Sequence, residues 1–194
     1  MHRSTCLAAT LPALALAFAL PALPVRADET ADDITAAQQA YATGDMKSAA
    51  DSLALALAGV RSRQQERLKA FLPPAPKGYT MTINADYSQG FAIAGGGTGI
   101  EAEYDSDNDS FTLDITVDNP VVASMAPILT NTQMMSVAGK VHRIGKQLVL
   151  ESDQSLATLI DNRILVQMQN ADVPVMLPVM KQIDFAGLAR FDQK

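Results

Sequence analysis

Residues 100–117 read IEAEYDSDNDSFTLDITV, and this stretch decides the fold. Ile100, Ala102 and Tyr104 alternate with Glu101 and Glu103. After the polar run Asp105 to Ser110 the alternation resumes as Phe111, Leu113, Ile115 and Val117. Strand side chains point to opposite faces in turn, so a period of two buries one face and wets the other. The stretch is therefore a β-hairpin in an antiparallel sheet with one face covered.

The same period extends upstream. Tyr79, Met81, Ile83 and Ala85 predict a strand, and Phe91 with Ile93 predicts another, ending in the glycine run Gly95 to Gly99. Downstream, Asn119-Pro120 reads as a helix cap followed by a first helical residue. The helix carries Val121, Val122, Met125, Ile128, Leu129, Met134 and Met135 as its apolar residues, Pro127 kinks or splits it, and Gly139 ends it. Residues 141–150 predict two short strands turning at Gly145. Residues 156–160 read as a short bridging segment, and residues 163–169 as a strand. Asp172 caps a last helical region that Pro178 and Gly187 divide, with Asp184 capping its final turn.

Residues 28–72 have a different period. Asp32 or Asp33 caps a first helix carrying Ile34, Ala37, Ala40 and Tyr41. Gly44-Asp45 interrupts it, and Asp45 caps a second helix to about Leu72. Ala49, Leu53, Leu57 and Val60 recur at three and four residues, as one helix face requires. The end from Arg61 to Lys69 is polar and mostly basic, which suits a solvated face or a partner-binding surface. The stretch AQQAYATGDMKSAADSLALAL resembles one tetratricopeptide unit, through Ala37, Tyr41, Gly44, Asp45 and Ala49. No second copy follows. Such units bury their faces by stacking in arrays of about three or more, so one hairpin is expected to pack on its neighbouring domain. Pro73-Pro74-Ala75-Pro76 stops the helix and makes a stiff spacer over residues 73–77.

The predicted class is α+β: a helical hairpin over 28–72, then an α+β domain over 78–194 ordered as four strands, helix, three strands, helix. That order, with Asp118-Asn119-Pro120 opening a Met-rich helix and residues 161–169 leading into a last strand, resembles the Mog1/PsbP-like α/β/α sandwich shared by DcrB-type bacterial envelope proteins. LPPAPKGY and GGGTGIEAEY are similar to a group of exported bacterial proteins of unknown function. The resemblance spans about 115 residues from Gly78 and brings no catalytic motif. It implies a binding or accessory role. DcrB-type proteins are usually lipid-anchored, whereas this chain has no cysteine at the end of its apolar leader.

The first 27 residues, MHRSTCLAATLPALALAFALPALPVRA, read as a cleavable signal peptide: Arg3, an uncharged run from Leu7 to Ala22, and a cut after Ala27. The expected location is the periplasm. The run is short and rich in Ala and Pro for a membrane span, which takes roughly 20 apolar residues, so no integral membrane segment is expected after cleavage. Cleavage leaves 167 of 194 residues and removes Cys6, the single cysteine, leaving neither a disulfide nor a thiolate. It also removes Arg3 and Arg26, so 15 basic residues fall to 13 against 21 acidic ones, a net charge of −8. Such a charge repels phosphate backbones, which argues against a nucleic-acid partner.

Chemistry is sparse. Asp105, Asp107 and Asp109 alternate as at the start of a calcium loop. Ser110 stands where an EF-hand requires Gly, and Thr116 where it requires Glu. Asp and Asn also build hairpin turns, so a turn and a calcium site are both open. The glycine run precedes a strand and lacks the Lys-Ser/Thr pair, unlike a phosphate loop. Met134-Met135 with His142, or Met176 and Met180, are candidate copper ligands, and equally core packing. His142 is the only histidine after cleavage, and no GxSxG elbow accompanies it. Glu101 and Glu103 share one strand face, as an acid pair or simply as a solvated surface. No catalytic residue is assigned. The expectation is a non-enzymatic periplasmic accessory or binding protein contacting an envelope protein or small ligand through the groove between sheet and helices or through the hairpin surface. The alternatives are a binder of calcium or of a small apolar ligand, and a carboxylate-based envelope hydrolase.

Overall fold

The structure is a computed structural model describing residues 28–84, 86–92 and 95–193; the signal-peptide reading of residues 1–27 lies outside them. Among the described residues seven strands form one antiparallel sheet: β1 (Thr80–Asn84), β2 (Thr98–Asp105), β3 (Ser110–Val117), β4 (Lys140–Ile144), β5 (Gln147–Ser152), β6 (Ser155–Ile160) and β7 (Ile164–Gln169). Their spatial order is β1-β2-β3-β7-β6-β5-β4. Six helices accompany them: α1 (Glu29–Thr43), α2 (Met46–Leu68), α3 (Pro120–Leu129), α4 (Thr132–Ala138), α5 (Val173–Met180) and α6 (Phe185–Leu188). The class is α+β, as the residue pattern predicts.

The expected hairpin forms, and its register sets Tyr104 opposite Phe111 and Ile100 opposite Ile115. These residues are fully buried in the main core, together with Met176 and Met180 of α5 and Leu188 of α6. Tyr104 stacks on Phe111 with ring centroids 4.7 Å apart, and its hydroxyl donates to the Pro73 carbonyl at 2.8 Å. The proline segment is thereby tied to the sheet.

The second face is covered as well, in two parts. α3 and α4 bury Val122, Leu129 and Met135 against Leu150, Leu159 and Leu165. Over β2 and β3 lies the segment 86–92. A Cβ on Gly99 would stand 2.9 Å from the Phe91 ring, 3.1 Å from the Tyr87 ring and 2.7 Å from the Ile115 carbonyl. Gly99 is therefore part of a strand that lets two rings lie on the backbone.

Two strand expectations are corrected, and they offset each other. Phe91 sits in a 3₁₀ turn, Gln89–Ala92, because its ring packs over Gly99 rather than joining a ladder; Ile93 lies outside the described residues. Residues 156–160, read as a bridging segment, lie in the interior strand β6 (Ser155–Ile160). Leu156 to Ile160 are all buried, and a strand covered on both faces shows no alternation.

Helix ends differ in smaller ways. Asp28, not Asp32 or Asp33, precedes α1, and its carboxylate pairs with Arg63 instead of capping. Gly44 closes α1 at φ 82°, and Asp45 caps α2 by accepting from Ser48 N at 3.0 Å. α3 runs through Pro127; the break falls at Asn131, whose side chain accepts from the Gln133 and Met134 amides and starts α4. α5 likewise runs through Pro178. Gly187 lies inside α6, where its amide is bound by Asp184. Among the described residues no helix is long and apolar enough to cross a membrane.

Candidate functional site

The helical hairpin is held together by small residues. Ala37, Ala49 and Ala56 are buried between its helices, and Thr30 packs against Gly59. The C-terminal part of α2 meets the sheet: Thr98 Oγ1 donates to the Arg61 carbonyl at 3.3 Å, and Leu68 is buried in the main core; Leu57 and Arg61 border a groove shared with Ser88 and Gly97. The expected apolar face of α2 is not covered by the neighbouring domain. Ala49 is buried, whereas Leu53, Leu57 and Val60 are exposed, as are Met46 on the same helix and Ile34 and Tyr41 on α1. Tyr41 is 69% and Leu53 57% exposed. Ile34, Ala37, Tyr41, Ala49 and Leu53 line an open groove of about 260 Å³ between the helices. The physical reason is size: alanines bring two helices close, which leaves the larger side chains on the rim of the contact.

A second groove, about 410 Å³, lies between one end of the sheet and α6, with Ile144, Ile160, Ile183 and Phe185 as its floor and Lys146 and Asp161 at its polar edge.

The acidic turn is closed by Ser106, whose amide and hydroxyl both donate to the Asp109 carbonyl, at 2.9 and 2.8 Å. Asp109 Oδ2 accepts from the Tyr79 hydroxyl at 3.4 Å, and Asp105 ends β2 opposite Ser110. Among the described residues no three His, Cys, Asp or Glu side chains are grouped so as to hold a metal ion. Met176 and Met180 are core residues; Met135 is buried under the second face while Met134 is exposed. His142 lies on the edge strand β4 and hydrogen-bonds through Nε2 to Glu151, which also lies 3.7 Å from Lys140 Nζ. The hydrogen bond to His142, aided by Lys140, holds the Glu151 carboxyl below its usual range.

The acid pair of this sheet is not Glu101 with Glu103. Glu101 faces Asp114 directly across the β2–β3 ladder. Asp114 is only 8% exposed, and its Oδ1 is buried with no hydrogen-bond partner. Its Oδ2 accepts from Gln169 Nε2 at 3.3 Å, and Asn84 Nδ2 donates to Glu101 Oε1 at 2.8 Å. Burial, and then the Glu101 carboxylate beside it, hold the Asp114 carboxyl far above the ordinary carboxylate range. The Tyr87 hydroxyl shares a 3.0 Å hydrogen bond with Thr116, and burial together with the Asp114 charge pushes the phenol up to about 12. The signal for this pair was present in the chain: a turn closed between Asp105 and Ser110 puts position 101 opposite 114.

A third charged group is structural. Arg163 holds Asp118 through Nε and Nη2 and Asp192 through both Nη atoms, tying the C-terminal segment to the β3–α3 link. Compared with protein-family models, curated proteins and solved structures, the chain matches none.

Proposed function

We propose that this chain is a non-enzymatic accessory or binding protein of the periplasm, and that it holds an amphipathic helix of an envelope protein against the open face of its helical hairpin. The observation that carries the reading is the exposure of Ile34, Tyr41, Met46, Leu53, Leu57 and Val60 on a hairpin whose own helices are joined mainly by alanines. A contiguous apolar surface of this kind is characteristic of interaction sites. Met46, Leu53 and Val60 recur every seven residues, a repeat that suits the side of another helix. A tetratricopeptide-like unit ordinarily covers this surface with a further helix. The non-enzymatic part rests on chemistry: the strongest candidate acid, Asp114, is too buried to meet a substrate, and His142 is occupied by Glu151.

A photo-crosslinking residue at position 53, in cells or envelope extract, tests the reading. The expected result is an adduct with one protein, lost when Tyr41→Glu is added and absent when the probe stands at exposed Val137 on α4. No adduct at 53, or the same adducts from both positions, refutes it. An adduct of this chain with itself replaces the heterologous partner by a second copy. The second reading, a small apolar ligand in the 410 Å³ groove, predicts instead that Phe185→Asp abolishes binding while substitutions at 41 and 53 do not.

A further inference from the structure

Away from the hairpin, one polar atom of the sheet has no partner. Asp114 Oδ1 is buried and accepts nothing, a condition that costs free energy unless some group fills it. Directly opposite is a second carboxylate, Glu101, and like charges across a ladder oppose pairing. Among the described residues neither acid pairs with a Lys or Arg; the ion pairs involve Asp28, Asp51, Glu66, Asp118, Glu151 and Asp192 instead. The side chains that hydrogen-bond the two acids are neutral, and Glu103, two residues along the same face of β2, is a further acid. Gln169 and Asn84 each donate to one acid, and the hydroxyls of Thr116 and Tyr87 bond each other two residues along β3. Tyr87 and Phe91 lie over Gly99, two residues before Glu101 on β2.

We infer that Glu101 and Asp114 form a binding site for a divalent cation of the calcium class. Two carboxylates, one with an oxygen otherwise without a donor, and two nearby hydroxyls are hard oxygen ligands of the type Ca²⁺ takes. Ca²⁺ tolerates irregular coordination completed by water, whereas Mg²⁺ demands a near-ideal octahedron. Two charged ligands make a weak site, with a dissociation constant of about 10⁻⁴–10⁻³ M, the range of extracellular modules. The site is distinct from the Asp105–Asp109 turn, where Asp109 is engaged by Tyr79 and the turn is closed by Ser106.

The test is calorimetric titration of the full chain with calcium chloride at pH 7.5 after EDTA treatment, with thermal melts alongside. One site is expected, and at a hundredfold excess over its dissociation constant calcium raises the melting midpoint by about 5–10 °C. Glu101→Gln and Asp114→Asn each weaken binding at least tenfold. The latter places an amide donor against Glu101 and folds without the ion, so loss of binding is separated from loss of fold. Asp107→Asn leaves binding unchanged. No calcium response in the unaltered chain, an equal response in Asp114→Asn, or loss in Asp107→Asn overturns the inference.

Discussion

Leu53 and Leu68 stand fifteen residues apart on α2 and have opposite environments. Leu68 is 0% exposed and belongs to the main core, whereas Leu53 is 57% exposed on the open face of the hairpin. Truncating a fully buried leucine to alanine costs about 2–5 kcal/mol, transfer and cavity together. For a chain of this size each kcal/mol moves the melting midpoint by about 2–4 °C, so Leu68→Ala at about 3 kcal/mol lowers it by about 6–12 °C. Leu53→Glu forfeits less than half of the ~1.5–3 kcal/mol that full burial of a leucine brings, at most about 1.3 kcal/mol. Glu and Leu have similar helix propensities, so the backbone adds little. The expected shift is about 5 °C or less. Thermal melts followed by circular dichroism, with urea unfolding as a check, read both variants. If Leu53→Glu costs as much as Leu68→Ala, the face assigned to a partner helix is part of the fold and the proposed function loses its surface. A tolerated Leu68→Ala would mean that the hairpin is not anchored in the sheet's core.

Three further outcomes follow from the same geometry. Gly99→Val puts a side chain into the Tyr87 and Phe91 rings and the Ile115 carbonyl, and overpacking of this kind costs about 1–3 kcal/mol; hydrogen exchange should rise first in residues 86–92, and an unaltered exchange pattern would contradict the packing. Tyr104→Phe leaves the Pro73 carbonyl without its donor, a loss of about 1–2 kcal/mol in urea unfolding, and no loss would mean that water replaces the hydroxyl. Arg163 holds the Asp192 carboxyl below the ordinary value of 3.8, so this contribution to stability is complete above that value and is lost as pH falls through the depressed one. Arg163→Met should flatten that acid limb of the pH–stability curve, and an unchanged limb would assign it to other carboxylates.

What the sequence made legible follows the physics of each signal. Period-two alternation marked β1, β2 and β3 because each of those stretches mixes apolar and polar positions, and Asn119, Asp45 and Asp184 were readable as caps because their side chains bond amides two or three residues on. β6 escaped because Leu156 to Ile160 are buried on both faces, and the one polar residue among them, Thr158, is buried with the rest and sets no period. Phe91 misled because an aromatic residue in a loop that folds over a glycine looks the same, locally, as one in a strand. For the hairpin helices, periodicity located the apolar face but not its neighbour: a stripe that serves the core and a stripe that awaits a partner have the same spacing.

The acid pair shows where local reading stops and register begins. Glu101 and Glu103 lie on one face of one strand, and neighbours along a strand are the pair that inspection finds first. The turn between Asp105 and Ser110 fixes a different neighbour, because antiparallel pairing from that turn sets 104 against 111, 102 against 113 and 101 against 114. Asp114 also lies between Leu113 and Ile115 in a strand whose next polar positions are threonines, an unusual place for an isolated charge. Carrying the register through places two acids opposite each other; burial is what then makes them consequential. On an open face water would screen the pair, and Asp114 would be one more solvated acid. With Asp114 buried, the two residues cannot both hold their charge unaided, and such a place is filled by a proton or a metal ion.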